Sequence, residues 1–191
     1  MQALLPLLFK LLCLLFHLQY KENILNILYS QKDIQCRIQE LGKQITQDYQ
    51  GKELVILGVL TGSFIFMADL VREIHLPLDC EFVKISSYGD GKISKDLQCQ
   101  LDVKKEKIQG KHILIVDDIV DSGKTMNFLI QHLQNYQASD IKICTLLFKE
   151  SAVQYNIHPH YYGFKVENFF VAGYGLDDKG KSRNQPFISA I

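Results

Sequence analysis

Three carboxylates, two hydroxyls, a glycine and a lysine fall within the nine residues Asp117-Asp118-Ile119-Val120-Asp121-Ser122-Gly123-Lys124-Thr125. The second half of this stretch has the chemistry of an anion site. Gly123 can take backbone angles that side chains disfavour, which lets successive N–H groups converge on one anion. Ser122 and Thr125 add hydroxyl donors, and a helix starting just beyond would add partial positive charge. The acids upstream ask for a ligand that carries hydroxyls and a metal as well as a phosphate.

The flanking residues position this chemistry. His112 to Val116 is rich in β-branched residues, as expected for a central parallel strand buried on both faces. Met126 to Tyr136 carries apolar residues at Met126, Leu129, Ile130 and Leu133, which is helical spacing. Asp121 to Thr125 therefore reads as a strand-to-helix loop. Gly123-Lys124-Thr125 matches the end of the nucleoside triphosphate P-loop, but that motif needs Gly at position 118, where this chain has Asp118. A ribose 5-phosphate offers hydroxyls, a metal partner and a phosphate together.

The stretch Ile113 to Thr125 resembles the 5-phosphoribosyl-1-pyrophosphate (PRPP) signature of the type I phosphoribosyltransferases. Four more blocks resemble the hypoxanthine (hypoxanthine-guanine) members of that family, in the family's order and spacing. They are Gly58 to Phe64, Ser86-Ser87-Tyr88-Gly89, Leu147-Phe148-Lys149 and Phe170 to Asp177. The similarity runs from about Ile27 to Ile191. It implies an α/β type I phosphoribosyltransferase fold, a central mostly parallel sheet flanked by helices with a small hood subdomain. The reaction it implies is substitution at the ribose anomeric carbon of PRPP by a nitrogen of a 6-oxopurine, giving a nucleoside monophosphate and pyrophosphate.

The resemblance also assigns roles. Asp117 and Asp118 fall where the family contacts the ribose hydroxyls and Mg²⁺; the family more often has Glu at the first position, so Asp117 is a shorter version. Asp121 matches the general base, although Asp is equally a preferred helix N-cap. Ser122, Gly123, Lys124 and Thr125 hold the 5-phosphate, with Lys124 also open to projecting into solvent. Leu60-Thr61-Gly62 matches a pyrophosphate-binding turn with a cis peptide before its middle residue, where the family often has Lys and this chain has Thr61. Ser87 and Tyr88 open a stretch similar to the mobile lid, whose closure shields the transition state from water.

On the base side, Lys149 matches the donor to the purine 6-oxo group, and Phe170 and Val171 match the base-stacking segment. Read without the family, Lys149 is a snorkelling strand-end lysine and Phe170 a core aromatic. Asp177 matches a second Mg²⁺ contact. Arg183 matches an arginine on the pyrophosphate, whose two parallel hydrogen bonds suit a leaving group that gains charge. Its bland alternative is an exposed loop cation.

Composition agrees with an enzyme of this class. At 191 residues and 47% hydrophobic content the chain can bury one domain's core with a small appended subdomain. Its formal net charge of zero argues against a broad nucleic-acid or membrane surface. The five scattered cysteines, never in a C-x-x-C pair, read as reduced cytoplasmic thiols. His75, His112, His132, His158 and His160 show no metal-ligand spacing and read as surface or satisfied core residues.

Ser30 with Asp33 has a capping-box pattern, followed by an apolar stripe at Ile34, Ile38, Leu41 and Ile45. Strands are expected at Leu54 to Leu60, Cys80 to Ile85, Ile113 to Val116 and Ile141 to Phe148. A helix is expected from Ser63 to Ile74, stopped before Pro77. This alternation implies a parallel sheet covered on both faces, with residues 160 to 191 and a piece of the N-terminus forming the hood. Ala3 to Leu18 is almost wholly apolar, like a signal sequence or membrane helix. Pro6 and Lys10 interrupt it, and no positive n-region or A-x-A-like site flanks it. It also falls short of the roughly 18 uninterrupted apolar residues of a spanning helix. We expect residues 1–26 to be an extension outside the fold, of the kind an upstream translation start would add, and residues 27–191 to be the domain.

Two other functions compete. A regulatory homologue that binds RNA should show a basic face and could dispense with Asp121, Lys149, Phe170 and Asp177, all of which are present. A phosphoribosyltransferase for another base is disfavoured by the Lys149 and Phe170 to Asp177 blocks. The ranking of hypoxanthine, guanine and xanthine depends on contacts to the purine 2-position and stays open. Family habit implies a homodimer or homotetramer, with no nucleic-acid or membrane partner for the domain.

Overall fold

The computed structural model describes residues 26–88 and 96–191. The apolar run at Ala3 to Leu18 lies outside them. Among the described residues no helix is long and apolar enough to cross a membrane.

Six strands form the main sheet in the order β4-β3-β2-β5-β6-β7. They are β2 (Leu54–Leu60), β3 (Leu78–Tyr88), β4 (Asp96–Leu101), β5 (His112–Val120), β6 (Asp140–Phe148) and β7 (Tyr161–Lys165). All pairings are parallel except β3 with β4, an antiparallel edge hairpin. The centre is buried on both sides, so β2 and β5 read as near-continuous apolar runs. Alternation along β2 sends Leu54 and Ile56 into one core and Val55, Leu57 and Val59 into the other.

The first core is closed by helices α1 (Gln31–Asp48) and α2 (Phe64–Glu73). Ser30 caps α1 through a complete capping box with Asp33, and Ile34, Ile38, Leu41 and Ile45 are all buried, as the sequence pattern implies. Gly42 lets α2 approach closely, because a Cβ there would stand 2.5 Å from the Cβ of Glu73. The second core is closed by the short α3 (Lys105–Ile108) and by α4 (Lys124–Gln134) through Met126, Leu129 and Leu133.

A second sheet, β1-β9-β8, is built from β1 (Asn26–Tyr29), β9 (Ile188–Ala190) and β8 (Val171–Ala172). It is the hood, and it does draw on the N-terminal side of the fold. Its expected extent is corrected at one point: β7 joins the main sheet through β6, so residues 161–165 are not part of it. Tyr29 fastens the small sheet to β7 by stacking on Phe164, with 3.9 Å between ring centroids, and by donating to the Lys165 carbonyl at 3.2 Å. Arg37 fastens α1 to the same strand through the carbonyls of Tyr162 and Gly163.

Candidate active site

The chain leaves β2 through α2 towards β3 on one side, and leaves β5 through α4 towards β6 on the other. The carboxyl ends of β2 and β5 thus form a topological switch point, where parallel sheets hold their ligands. A cleft of about 390 Å³ opens there. Val59, Leu60 and Gly62 line one wall and Asp117 to Met126 the other, with Ile85, Ser86 and Leu97 of the β3–β4 hairpin closing the side.

The acid pair does not end its strand, as the sequence suggests, but sits inside it. Asp117, Ile119 and Val120 stay in register with Thr145, Leu147 and Phe148 of β6, so backbone pairing carries β5 past the acids. Asp117 is buried; its Oδ1 accepts the Asp118 N–H at 3.0 Å, and Asp118 Oδ1 accepts the Ile119 N–H at 2.9 Å. Burial, and then the adjoining Asp118 charge, hold Asp117 well above the ordinary carboxylate range. Burial raises Asp118 as well, against its own hydrogen bonds and the pull of Arg183. Two desolvated carboxylates side by side favour a bound cation. Gly62 is what lets Asp118 lie flat against the opposite wall, since a Cβ on Gly62 would fall 1.6 Å from Asp118 Oδ2.

Beyond Val120 the chain turns through Asp121, Ser122 and Gly123. Gly123 is left-handed (φ 81°) and takes the N-cap place of α4. This corrects the expected loop: Lys124 and Thr125 belong to the first helical turn, so their backbone N–H groups are among the donors a helix start leaves for a ligand. The Lys124 N–H is 3.4 Å from Ser122 Oγ, and the Ser122 carbonyl accepts the Gln154 N–H at 2.9 Å. Ile157 and Tyr155 back Gly123 directly.

On the facing wall the Leu60–Thr61 peptide is cis. Buried Ser63 holds this turn by donating to the Val59 carbonyl at 2.6 Å. Gly175 brings the hood loop onto it, because a Cβ there would stand 2.2 Å from the Gly62 carbonyl oxygen.

The remaining expected residues stand around the cleft. Lys149 is buried, its N–H donates to the Val120 carbonyl, and its Nζ lies 3.2 Å from Asp121 Oδ2. Asp121 is half-exposed, so this ion pair joins the Asp121–Gly123 turn to the end of β6 beside the cleft. Phe170 is 53% exposed, which removes the core reading of its ring. The Val171 side chain is core, leaving its main chain as the part that can meet a ligand. Arg183 is no free loop cation: it donates to the Gly175 carbonyl at 2.5 Å and to Asp177 Oδ1 at 2.6 Å, while Asp177 Oδ2 accepts the Gly180 N–H. Ser87 and Tyr88 end β3, pairing with Leu97 and Asp96, and their side chains lie outside the described residues.

Ile119 and Ser86 stand in quoted blocks without an assigned role, and Leu97 and the Tyr155–Ile157 backing were not singled out from sequence. Ser86 adjoins the expected Ser87, whereas Leu97 comes from a strand that has no sequence signal strong enough to announce it.

Comparison with known proteins bears on the whole arrangement. Residues 25–179 match the phosphoribosyl transferase domain model. The chain is 41% identical over 175 residues to the hypoxanthine phosphoribosyltransferase of Haemophilus influenzae, covering 90% of this chain and 97% of that one. The hypoxanthine-guanine phosphoribosyltransferase of Dictyostelium discoideum is 39% identical over 170 residues, 86% and 94% of the two chains. A crystal structure of hypoxanthine phosphoribosyltransferase from Staphylococcus aureus superimposes with a TM-score of 0.83 at 38% identity, over 89% of this chain and 93% of the other.

Proposed function

The chain belongs to the hypoxanthine phosphoribosyltransferase family, and from that premise we propose that it transfers the 5-phosphoribosyl group of PRPP to hypoxanthine and guanine in purine salvage. The observation that carries the reading is the Asp121–Lys149 pair at the mouth of a cleft whose floor is a phosphate loop and an acid pair. A 6-oxopurine presents an oxygen acceptor beside a ring N–H. Lys149 meets the first as donor, and Asp121 accepts the proton of the second. Being buried, the Lys149 ammonium loses a partner if the oxo group is replaced by an amino group, which penalises adenine.

The chain's residues divide the work. The Ser122 to Thr125 donors at the start of α4 bind the 5-phosphate, and Asp117 and Asp118 take the ribose hydroxyls. Leu60-Thr61-Gly62 and Arg183 hold the pyrophosphate, and the exposed ring of Phe170 stacks on the base. Ser87 and Tyr88 belong to the lid that excludes water. As a purine nitrogen bonds to the anomeric carbon, the bond from that carbon to pyrophosphate breaks and Asp121 takes the purine proton.

The buried carboxylates of Asp117 and Asp118 are hard oxygen donors whose mutual repulsion a divalent cation relieves, so they fit Mg²⁺, with Asp177 as a further donor. When bound, Mg²⁺ supplies charge neutralisation for the departing pyrophosphate. The unpaired thiols of Cys36, Cys80, Cys99 and Cys144 suit a reducing, cytoplasmic setting. Exposed Phe64, Phe82 and Leu101 leave apolar surface for a homodimer or homotetramer. The expected boundary at residue 26 moves, because Asn26 opens β1; the residues before it are an extension that the reaction does not use. The test is incubation with PRPP, Mg²⁺ and hypoxanthine: nucleoside monophosphate and pyrophosphate should form in equal amounts, and absence of product from folded protein would overturn the assignment.

A further inference from the structure

Away from the cleft, three side chains from two separate parts of the sequence meet between the edge strand and a helix. Cys99 lies on β4, Asp102 follows that strand, and His132 stands on α4, and one ligating atom of each lies within 4.8 Å of the others. It is the one such His/Cys/Asp/Glu group among the described residues. None of the three takes part in the proposed reaction. Their separation in sequence is why no metal-ligand spacing is visible there.

The geometry is held from several sides. His132 Nε2 is 2.8 Å from Asp102 Oδ2, and the Tyr136 hydroxyl donates to the same oxygen at 2.7 Å. The Val103 N–H donates to Asp102 Oδ1 at 2.8 Å, which turns Oδ2 towards the histidine. The His132 ring lies parallel to Phe128 on one side and edge-on to Tyr136 on the other, with 6.0 and 5.1 Å between centroids, so its orientation is confined. Cys99 Sγ sits 3.1 Å from the Leu101 carbonyl. Cys99 and His132 are both partly exposed and can be reached from solvent.

A carboxylate–histidine pair alone would be an ordinary surface ion pair. The thiol changes the chemistry, because thiolate, imidazole and carboxylate together form a borderline-soft set that suits Zn²⁺ and not Mg²⁺. Tetrahedral zinc with these ligands needs ligand atoms about 3.3 to 3.8 Å apart, given bond lengths of about 2.0 to 2.3 Å. The observed separations require only side-chain adjustments. We propose that Cys99, Asp102 and His132 form a zinc(II) site, completed by a water molecule, that ties edge strand β4 to the flank of α4.

Tyr136 and the Val103 N–H remain outside the ligand set, orienting the carboxylate as outer-shell donors do. Burial and the neighbouring Asp102 charge push the Cys99 thiol up to about 11, so the metal-free site holds a protonated thiol. On metal uptake the S–H bond is replaced by an S–metal bond and the proton passes to solvent. Nε2, which faces the Asp102 carboxylate as an N–H donor in the metal-free site, gives up that proton for its bond to the metal, the ring proton then sits on Nδ1, and no electrons move.

The test is titration of the full chain with Co²⁺, a spectroscopic stand-in for zinc. One equivalent should bind, with a thiolate-to-cobalt charge-transfer band and the strong visible bands of a four-coordinate ion, and added Zn²⁺ should bleach both. Cys99→Ser should lose the charge-transfer band, and His132→Gln should weaken cobalt binding about tenfold or more. Both variants should keep Mg²⁺-dependent nucleotide formation, which reports that they are folded. The proposal is overturned if no stoichiometric band forms, if the thiolate band survives in Cys99→Ser, as it would if exposed Cys36 or Cys80 supplied the sulfur, or if His132→Gln binds cobalt as tightly as the wild type.

Discussion

On the side of the cleft proposed to hold the phosphate, the nine consecutive residues Asp117 to Thr125 supply acids, hydroxyls and helix-start donors. The proposed base side is instead gathered from Lys149, at the end of β6, and the hood residues Phe170 and Val171. The first is carried on a central strand hydrogen-bonded on both flanks. The second is divided: Lys149 directly follows β6 of the main sheet, whereas Phe170 precedes β8 of a three-stranded sheet whose strands come from opposite ends of the described fold. One side is therefore positioned by the core and the hood part of the other by a few long-range fastenings, and the Asp121–Lys149 ion pair joins the two sides.

If Asp121 serves both sides, removing its charge should separate chemistry from binding. Asp121→Asn keeps the side chain's size, and Gly123, not Asp121, holds the N-cap place of α4, so PRPP affinity should change little while turnover falls by about 10² to 10⁴. Single-turnover kinetics beside PRPP titration would show it, and near-normal turnover would remove Asp121 from the role of base.

A test of how tightly the phosphate side is packed is Gly62→Ala. Its methyl group occupies the place of Asp118 Oδ2, so the acid must move, and a displacement near 1 Å can cost about 10²-fold in rate. PRPP affinity should fall with turnover, which distinguishes it from Asp121→Asn.

The base side should respond differently. Phe170→Ala removes a stacking platform worth about 1 to 3 kcal/mol, so the KM for hypoxanthine should rise about tenfold or more. The KM for PRPP and the melting temperature should hold, because the ring is 53% exposed. A matching rise in both KM values would show that the two sides are not separable.

Asp117 ties stability to the same geometry. Burial holds its folded pKa well above the ordinary carboxylate range, so its contribution to ligand-free stability is complete below the pKa of the unfolded chain's carboxyl and is lost as pH rises through the raised folded pKa. Asp117→Asn keeps the acceptor for the Asp118 N–H and removes the charge. Above that window the ligand-free variant should be more stable than the wild type, while losing activity. Thermal unfolding against pH, read as variant minus wild type, checks the sign.

The smallest effect is expected from deleting residues 1–20, which leaves β1 at Asn26–Tyr29 and its pairing with β9 intact. Activity and solubility should stay near those of the full chain, and their loss would bring the segment into the fold.

The contrast between the two sides also explains what could be read in advance. The central strands and α1 announce themselves by apolar runs, helical spacing and a capping box. The phosphate loop is local chemistry, visible in consecutive residues. Asp117 was harder, because acids normally mark a strand's end, and only pairing with β6 keeps them inside one. β4 is an exposed edge with little pattern, and its partners are set by tertiary contact. Lys149 and Phe170 invert their usual places, with the amine buried and the aromatic ring exposed. Nothing in the local sequence announces that inversion, and only the family resemblance pointed to them.

The central claim is that the Asp121–Lys149 pair reads the 6-oxo edge of the purine, and the ratio of kcat/KM for hypoxanthine to that for adenine, with PRPP and Mg²⁺ saturating, tests it most directly. A buried donor left without its acceptor discriminates by about 10⁴, so hypoxanthine should be favoured to that order and the preference should collapse in Lys149→Met. Parity between the two bases in the wild type, or an undiminished preference in the variant, would contradict the account.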